Sequence, residues 1–123
     1  MTLEELYARI GGDYEQAIRV LRMDKLIDKH IRKLPKNGVI EALIEAGETM
    51  DPEQLFESAH AVKGICANLG LVKISDDASE IAEQYRPGNT RAMSDDEVKA
   101  KLKEIADLYE VTKEGIRQYE EEA

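Results

Sequence analysis

The segment that decides the fold runs from residue 52 to residue 70 and reads PEQLFESAHAVKGICANLG. Asp51 precedes it and Pro52 opens it, which is typical of a helix start, because an Asp side chain caps the first turn and proline fits the first helical position. Apolar residues then recur at intervals of four and three, at Leu55, Ala59, Val62, Cys66 and Leu69. This spacing predicts one helix with a buried stripe, ending at Gly70.

Three helices are predicted before this segment. A short first helix stops at Gly11-Gly12. The second opens at Asp13, with Gln16 as its capping-box partner. Its apolar stripe shifts to another face near Met23-Asp24, where the helix either kinks or changes its packing partner. The third ends at Gly47.

Two helices are predicted after it. The first carries apolar residues from Leu71 to Tyr85, and the second opens at Ser94, which with Glu97 forms a capping box. No segment alternates as a strand does, and the loops are short. These features predict an all-α fold, an antiparallel four-helix bundle with additional short N-terminal helices. We expect a single domain over residues 1–123, with its core motif at 52–86.

The composition excludes several classes of function. The 123 residues have a formal net charge of −9, from 26 acidic and 17 basic residues, so we expect the surface to repel nucleic acid and anionic lipid. A basic cluster at Lys29, Arg32, Lys33 and Lys36 has acids around it and is interpreted as a solvated face. No apolar run approaches the ~20 residues that span a bilayer, and the N-terminus has no signal-peptide pattern. We therefore expect a cytoplasmic protein, and a monomer.

The candidate site lies on the outer face of the 52–70 helix. At ~100° per residue, His60 projects roughly 140° from the centre of the buried stripe, toward solvent. Phe56, Lys63, Gly64 and Ala67 share that strip with it. A glycine inside a helix costs on the order of 1 kcal/mol relative to Ala, which close approach by a partner would offset. The strip therefore predicts a docking face, the alternative being an incidental surface histidine.

The residue types of this strip suit phosphoryl chemistry. A histidine of ordinary pKa near 6.5 is partly a free base at neutral pH, and a lysine supplies a flexible positive charge for phosphoryl oxygens. The chain has no nucleotide-binding glycine loop, so we expect it to hold a phosphoryl group without taking one from ATP, and not to be an enzyme. The only other histidine, His30, has no metal-ligand spacing, and we expect no metal site.

The pattern His60-x-x-Lys63-Gly64, followed by Asn68-Leu69-Gly70, resembles the signature of histidine-containing phosphotransfer (HPt) domains. The resemblance is most specific over residues 58–70 and continues from about 38 to 86. It implies a four-helix bundle in which His60 is the phosphoacceptor, Lys63 is its charge partner and Gly64 gives clearance for docking. Phe56, Ala67 and Asn68 would then be binding residues.

The resemblance also implies a function. HPt domains relay a phosphoryl group between aspartates of receiver domains in two-component signalling, and the receiver supplies the Mg²⁺, so we expect no cofactor in this chain. Response-regulator receiver domains and hybrid histidine kinases would be its partners. The alternative is an HPt-like adaptor that binds without phosphotransfer. One departure is that Ala82 stands where some members place a glutamine near the imidazole, while Gln84 falls on another face.

Overall fold

The computed structural model describes residues 1–122, which form seven α-helices and no strand. The helices are α1 (Leu3–Ile10), α2 (Tyr14–Leu21), α3 (Asp24–Lys33), α4 (Val39–Thr49), α5 (Pro52–Asn68), α6 (Val72–Tyr85) and α7 (Asp95–Glu122). Within residues 1–122, no helix combines the length and the apolar content that crossing a bilayer requires.

The four C-terminal helices form the predicted bundle. Each of them packs against the next one in the chain, and α7 closes the ring by packing against α4. Because short turns join α4 to α5 and α5 to α6, these neighbours run antiparallel. The closest pair is α5 with α6, whereas α5 and α7 lie diagonally across the core. The core is almost wholly aliphatic, with Leu43, Leu55, Ile81 and Ile105 fully buried.

The three N-terminal helices cover one end and one side of the bundle. Helix α1 packs on α7, α2 packs on α5, and α3 contacts α2 and α7. The sequence leaves open a kink or a change of packing partner near residue 23, and the structure has a full break there. Arg22 adopts a left-handed conformation with φ of 73°, and its amide donates to the Ile18 carbonyl, which ends α2. The two helices on either side then pack on different partners.

Two details of the predicted helices are wrong. Helix α4 does not end at Gly47 but continues to Thr49. The glycine serves packing instead, because a Cβ at this position would lie 2.6 Å from Cδ1 of Leu102 on α7. Gln16 does not complete a capping box on α2. Asp13 alone caps that helix, and the Gln16 side chain donates to the Ala67 carbonyl on α5, at 2.9 Å.

Candidate functional site

Helix α5 is fixed at both ends by local contacts. At its start, Asp51 accepts a hydrogen bond from the Glu53 amide at 3.2 Å, and Pro52 takes the first helical turn. Beyond its end, the carbonyl of Gly70 accepts a hydrogen bond from the Asp13 amide at 2.7 Å. Gly70 has φ of +70°, and a Cβ there would collide with the Asp13 carbonyl oxygen, so only glycine fits. The end of α5 is thereby held against the start of α2.

The rotation of α5 about its axis follows from its buried stripe. Ala59, Val62 and Cys66 are fully buried, whereas His60 and Gly64 are exposed, as the helical projection predicts. A Cβ built on Gly64 meets no atom within 4 Å. The imidazole therefore lies on the outer face of the bundle beside an uncovered stretch of backbone.

The His60 ring is stacked on the side chain one turn before it. The centroids of the Phe56 and His60 rings are 5.9 Å apart, and the ring planes differ by 23°. The Arg86 guanidinium also lies 5.6 Å from the Phe56 centroid, and Nε and Nη2 of Arg86 donate to Oε1 of Glu83 at 3.1 and 2.7 Å. Stacked aromatic pairs and cation–π contacts are both attractive at these separations. The four side chains thus form a row that runs from α6 to the imidazole.

The sequence identifies two members of this row, His60 and Phe56, and misses the other two. Phe56 is four residues before His60, which places it on the same helix face. Arg86 and Glu83 carry no such signal, because they reach the site from the end of α6. Only the antiparallel packing of α5 on α6 brings them to Phe56.

The Lys63 ammonium is a free positive charge beside this row. Among the described residues, no carboxylate lies within 4.0 Å of it. Its charge nevertheless acts on Glu83, whose pKa is lowered chiefly by the hydrogen bond from Arg86 and further by the field of Lys63. The backbone at this position is fixed by Ser75, whose hydroxyl donates to the Lys63 carbonyl at 3.0 Å. Phe56, His60, Lys63 and Gly64 together are called the acceptor face below.

No side chain from α6 orients the imidazole by a hydrogen bond. Within residues 1–122, neither ring nitrogen of His60 has a hydrogen-bond partner. Ala82 is buried in the core, and the Gln84 side-chain oxygen accepts from the amides of Ala92 and Met93, both at 2.8 Å. Gln84 therefore holds the loop before α7, and the Phe56 ring is the group that contacts the imidazole.

The two remaining candidates lie farther along α5. Ala67 is partly buried, and its carbonyl accepts the hydrogen bond from Gln16 described above. Asn68 is exposed and lines a groove next to α3. At 1.5 Å per residue, the two lie about 10 and 12 Å from His60 along the helix axis. Because Ala67 and Asn68 follow Gly64 by three and four residues, they lie one turn beyond the acceptor face on the same side of α5.

The remaining candidates for a metal site or a reactive thiol are the other acidic residues, His30 and Cys66. In the described part of the chain, no three His, Cys, Asp or Glu side chains group in a way that could hold a metal ion. His30 is exposed on α3, in a helix separate from His60. Cys66 is buried, and burial raises the pKa of its thiol to about 12, so its reactive thiolate form is disfavoured.

Comparison with known proteins identifies the family. A match to the family described as Hpt domain covers residues 22–114, which include α3 to α6 and most of α7. The comparisons with curated proteins and with solved structures found no match. The motif around His60, the helical bundle and this match agree, and the chain belongs to the Hpt domain family, whose members are phosphorelay carriers in two-component signalling.

Proposed function

We propose that His60 accepts a phosphoryl group from the aspartate of a receiver domain and passes it to a second receiver domain. The observation that carries this proposal is the exposed imidazole of His60, which has no hydrogen bond within residues 1–122 and lies beside Lys63 and the uncovered Gly64. Membership of the Hpt family supports the same reaction.

The transfer is a displacement at phosphorus. The imidazole nitrogen without hydrogen supplies its electron pair and forms the P–N bond, while the P–O bond to the receiver breaks and the aspartate leaves as a carboxylate. The proton on the other ring nitrogen stays there or passes to water. Transfer to a second receiver reverses these bonds, with the second aspartate as the attacking group.

Lys63 and Gly64 act on this step in different ways. Lys63 follows His60 by three residues, so its flexible side chain can bring the ammonium to the phosphoryl oxygens, where a compact positive charge offsets the negative charge that builds up. Gly64 has no side chain above the helix, so a receiver surface can approach the backbone one turn after His60. Both roles need residues that are not engaged within the chain: in residues 1–122 the half-buried Lys63 has no ion pair, and Gly64 is exposed.

Phe56 and Arg86 act through the ring of His60. With Ala82 buried and Gln84 engaged elsewhere, stacking on Phe56 restricts the imidazole in the way that a hydrogen bond does in some relatives. Arg86 contacts the Phe56 ring and is itself held by Glu83. Phe56 and Arg86 are accordingly positioning residues.

The partners follow from the chemistry. The chain would meet receiver domains and hybrid histidine kinases, as a monomer in the cytoplasm. Magnesium would come with the receiver domain, because the reaction needs the ion at the aspartate. Binding by Ala67 and Asn68 would extend the contact along α5 from the acceptor face.

Transfer from a phosphorylated receiver domain tests the proposal. The chain is incubated with a receiver carrying phosphoaspartate, and we expect it to gain a phosphoryl group that is labile in acid and stable in base. His60→Gln should abolish the gain, and His30→Gln, the matched change at the other histidine, should retain it. Labelling that survives His60→Gln contradicts the site. Binding to several receivers without any transfer would support the adaptor function instead.

A further inference from the structure

One segment of the chain has the opposite charge from the rest. Residues 19–36 contain seven basic and two acidic residues, whereas the remaining residues contain ten basic and 24 acidic ones. In the structure this segment is the end of α2, all of α3 and the turn after it. The basic residues are therefore gathered on one part of a strongly acidic molecule.

Three of these residues form a stripe along α3. Lys25, Lys29 and Lys33 follow one another at intervals of four, which places them on one face of the helix, and all three are exposed. Within residues 1–122, none of them has a carboxylate within 4.0 Å. We call them the α3 lysine stripe.

Two other basic residues of the segment, Arg32 and Lys36, are engaged in ion pairs, and the stripe is not. Arg32 pairs with Asp28 at 3.0 Å, and Lys36 pairs with Glu120 at 3.5 Å. Lys29 and Lys33 are solvated, as the sequence predicts for this cluster, but they have no paired acid, whereas Arg32 and Lys36 do. Three adjacent lysines without counter-charges repel one another, and an acidic partner would relieve that repulsion.

The stripe borders a groove between α3 and α5. The groove has a volume of about 250 Å³; Leu21, Ile65 and Leu69 supply its apolar lining, and Lys33, His30 and Asn68 are among its polar residues. The α3 lysine stripe therefore adjoins a concave apolar surface of the size that one or two side chains fill.

The groove lies within reach of a partner bound at His60. Its α5 wall, Ile65 and Asn68, follows His60 by five and eight residues, or about 8 and 12 Å along the axis. A stable protein contact covers roughly 800 Å² on each side, which is about 30 Å across. At ~100° per residue, Asn68 and Ile65 lie roughly 80° and 140° around α5 from His60, so a partner of this size that covers Gly64 would reach the groove first at Asn68.

We infer that the groove and the α3 lysine stripe are the part of the docking surface that selects the partner, and that they bind a receiver domain whose contacting surface is acidic and carries an apolar side chain for the groove. This inference rests on the proposed function. A nucleic acid or an anionic membrane is a poorer fit, because the acidic remainder of the chain repels an extended polyanion and a concave apolar groove suits a protein side chain.

The test compares two matched charge reversals. Lys29→Glu/Lys33→Glu changes two stripe residues on α3, and Lys99→Glu/Lys103→Glu changes two exposed residues at the same spacing on α7, diagonal to α5. The probe is the receiver domain that transfers fastest to the wild type in a panel of receivers. At low salt we expect the α3 variant to lower the association rate constant roughly tenfold and the α7 variant less than twofold. The difference between the association rate constants of the two variants should shrink as salt is raised, because surface charges are then screened.

The apolar lining is tested separately. Ile65→Ala should speed dissociation of the receiver roughly threefold or more, while Ile44→Ala, a partly buried isoleucine on α4, should leave it unchanged. If the charge reversal unfolds α3, Lys29→Gln/Lys33→Gln replaces it as the test variant. It removes the two charges without reversing them, so it should lower the logarithm of the association rate constant by about half as much. Melting curves of all variants identify losses that come from unfolding.

Chemical labelling separates this inference from the proposed function. Phosphoramidate donates a phosphoryl group to an imidazole nitrogen as its own P–N bond breaks and ammonia leaves, without any protein partner. Every variant should be labelled at His60 like the wild type, and absence of label on the wild type would count against the proposed function alone. Equal loss of receiver binding in the α3 and α7 variants would overturn the inference. The inference would also be overturned if the wild type bound DNA or phosphatidylserine vesicles and the α3 variant did not.

Discussion

The ring of Phe56 is stacked on the imidazole of His60 at 5.9 Å and is the aromatic group that holds the exposed histidine from one side. An imidazole that must attack phosphorus along one line loses rate when it rotates freely. The row from Glu83 through Arg86 and Phe56 limits that rotation without using either ring nitrogen. Both nitrogens are thus free of hydrogen bonds within residues 1–122.

Replacing Phe56 tests this restriction. Phe56→Leu should slow phosphotransfer roughly two- to tenfold, the equivalent of the 0.5–1.5 kcal/mol that aromatic pairs contribute. Phe56→Tyr keeps a stacked ring and should keep the rate. Proton NMR supplies the independent measurement, because loss of the Phe56 ring current should move the His60 ring protons downfield in the Leu variant only. A slower Leu variant with unmoved His60 resonances would mean that Phe56 acts by packing.

The ion pair between Arg86 and Glu83 should make the stability of the fold depend on pH. Arg86 lowers the pKa of the Glu83 carboxyl in the folded chain, so the pair stabilises the fold above the ordinary carboxyl pKa, and this stabilisation is lost as pH falls through the lowered value. In Arg86→Gln we expect the Glu83 pKa to return toward its ordinary value in a carbon NMR titration. Transfer should slow roughly two- to fivefold, as for one exposed cation–π contact.

A second arginine pair serves as the control for this change. Arg117 donates to Glu114 on α7 and lowers the pKa of that carboxyl in the same way. Arg117→Gln should raise the Glu114 pKa and leave transfer unchanged. If both arginine variants slow transfer equally, the row on α5 and α6 has no specific role.

Lys63 should affect the chemistry and leave the fold intact. Lys63→Met keeps the alkyl chain and removes the charge, so we expect transfer to slow roughly tenfold, which corresponds to the ~1.4 kcal/mol of one favourable surface charge contact. Lys63→Arg should recover most of the rate. Thermal unfolding should change little, because Lys63 forms no ion pair in the described part of the chain. A large drop in melting temperature would show that the lysine supports the bundle.

The helices and the exposed face of α5 could be predicted because their signals are local. The Asp51-Pro52 start and the Ser94–Glu97 capping box are each a few residues long, and the structure has both. The rotation of α5 followed from its apolar stripe alone. Such features depend only on residues that are close in sequence, so one sequence is enough to predict them.

What could not be predicted depends on contacts between distant residues. A glycine near the end of an apolar pattern predicts a helix end, and at Gly47 this prediction was wrong. The reason for glycine at this position is the close approach of Leu102 on α7, which the sequence does not show. Arginine seldom adopts the left-handed conformation that Arg22 has, so the break between α2 and α3 had no composition signal. The contact of Arg86 with Phe56 joins residues 30 positions apart.

Two glycines of the motif should respond in opposite ways to the same substitution. Gly64 lies inside α5 with no atom near its missing side chain, so Gly64→Ala should raise the free energy of unfolding by about 1 kcal/mol. Gly70 has a left-handed backbone against the Asp13 carbonyl, so Gly70→Ala should lower it by about 2 kcal/mol or more. Urea denaturation of both variants measures these changes.

A larger side chain at Gly64 should impair phosphotransfer even though the helix tolerates it. Gly64→Gln should leave the helix intact and block transfer from a receiver domain, because its side chain projects from the acceptor face into the space a partner would occupy. Labelling of the same variant by phosphoramidate should persist, since that donor is small. The matched change Ala100→Gln, at an exposed position on α7 diagonally across the bundle from α5, should reduce transfer less. Normal transfer to Gly64→Gln would show that the receiver does not approach α5 over this glycine, and the clearance role would fall.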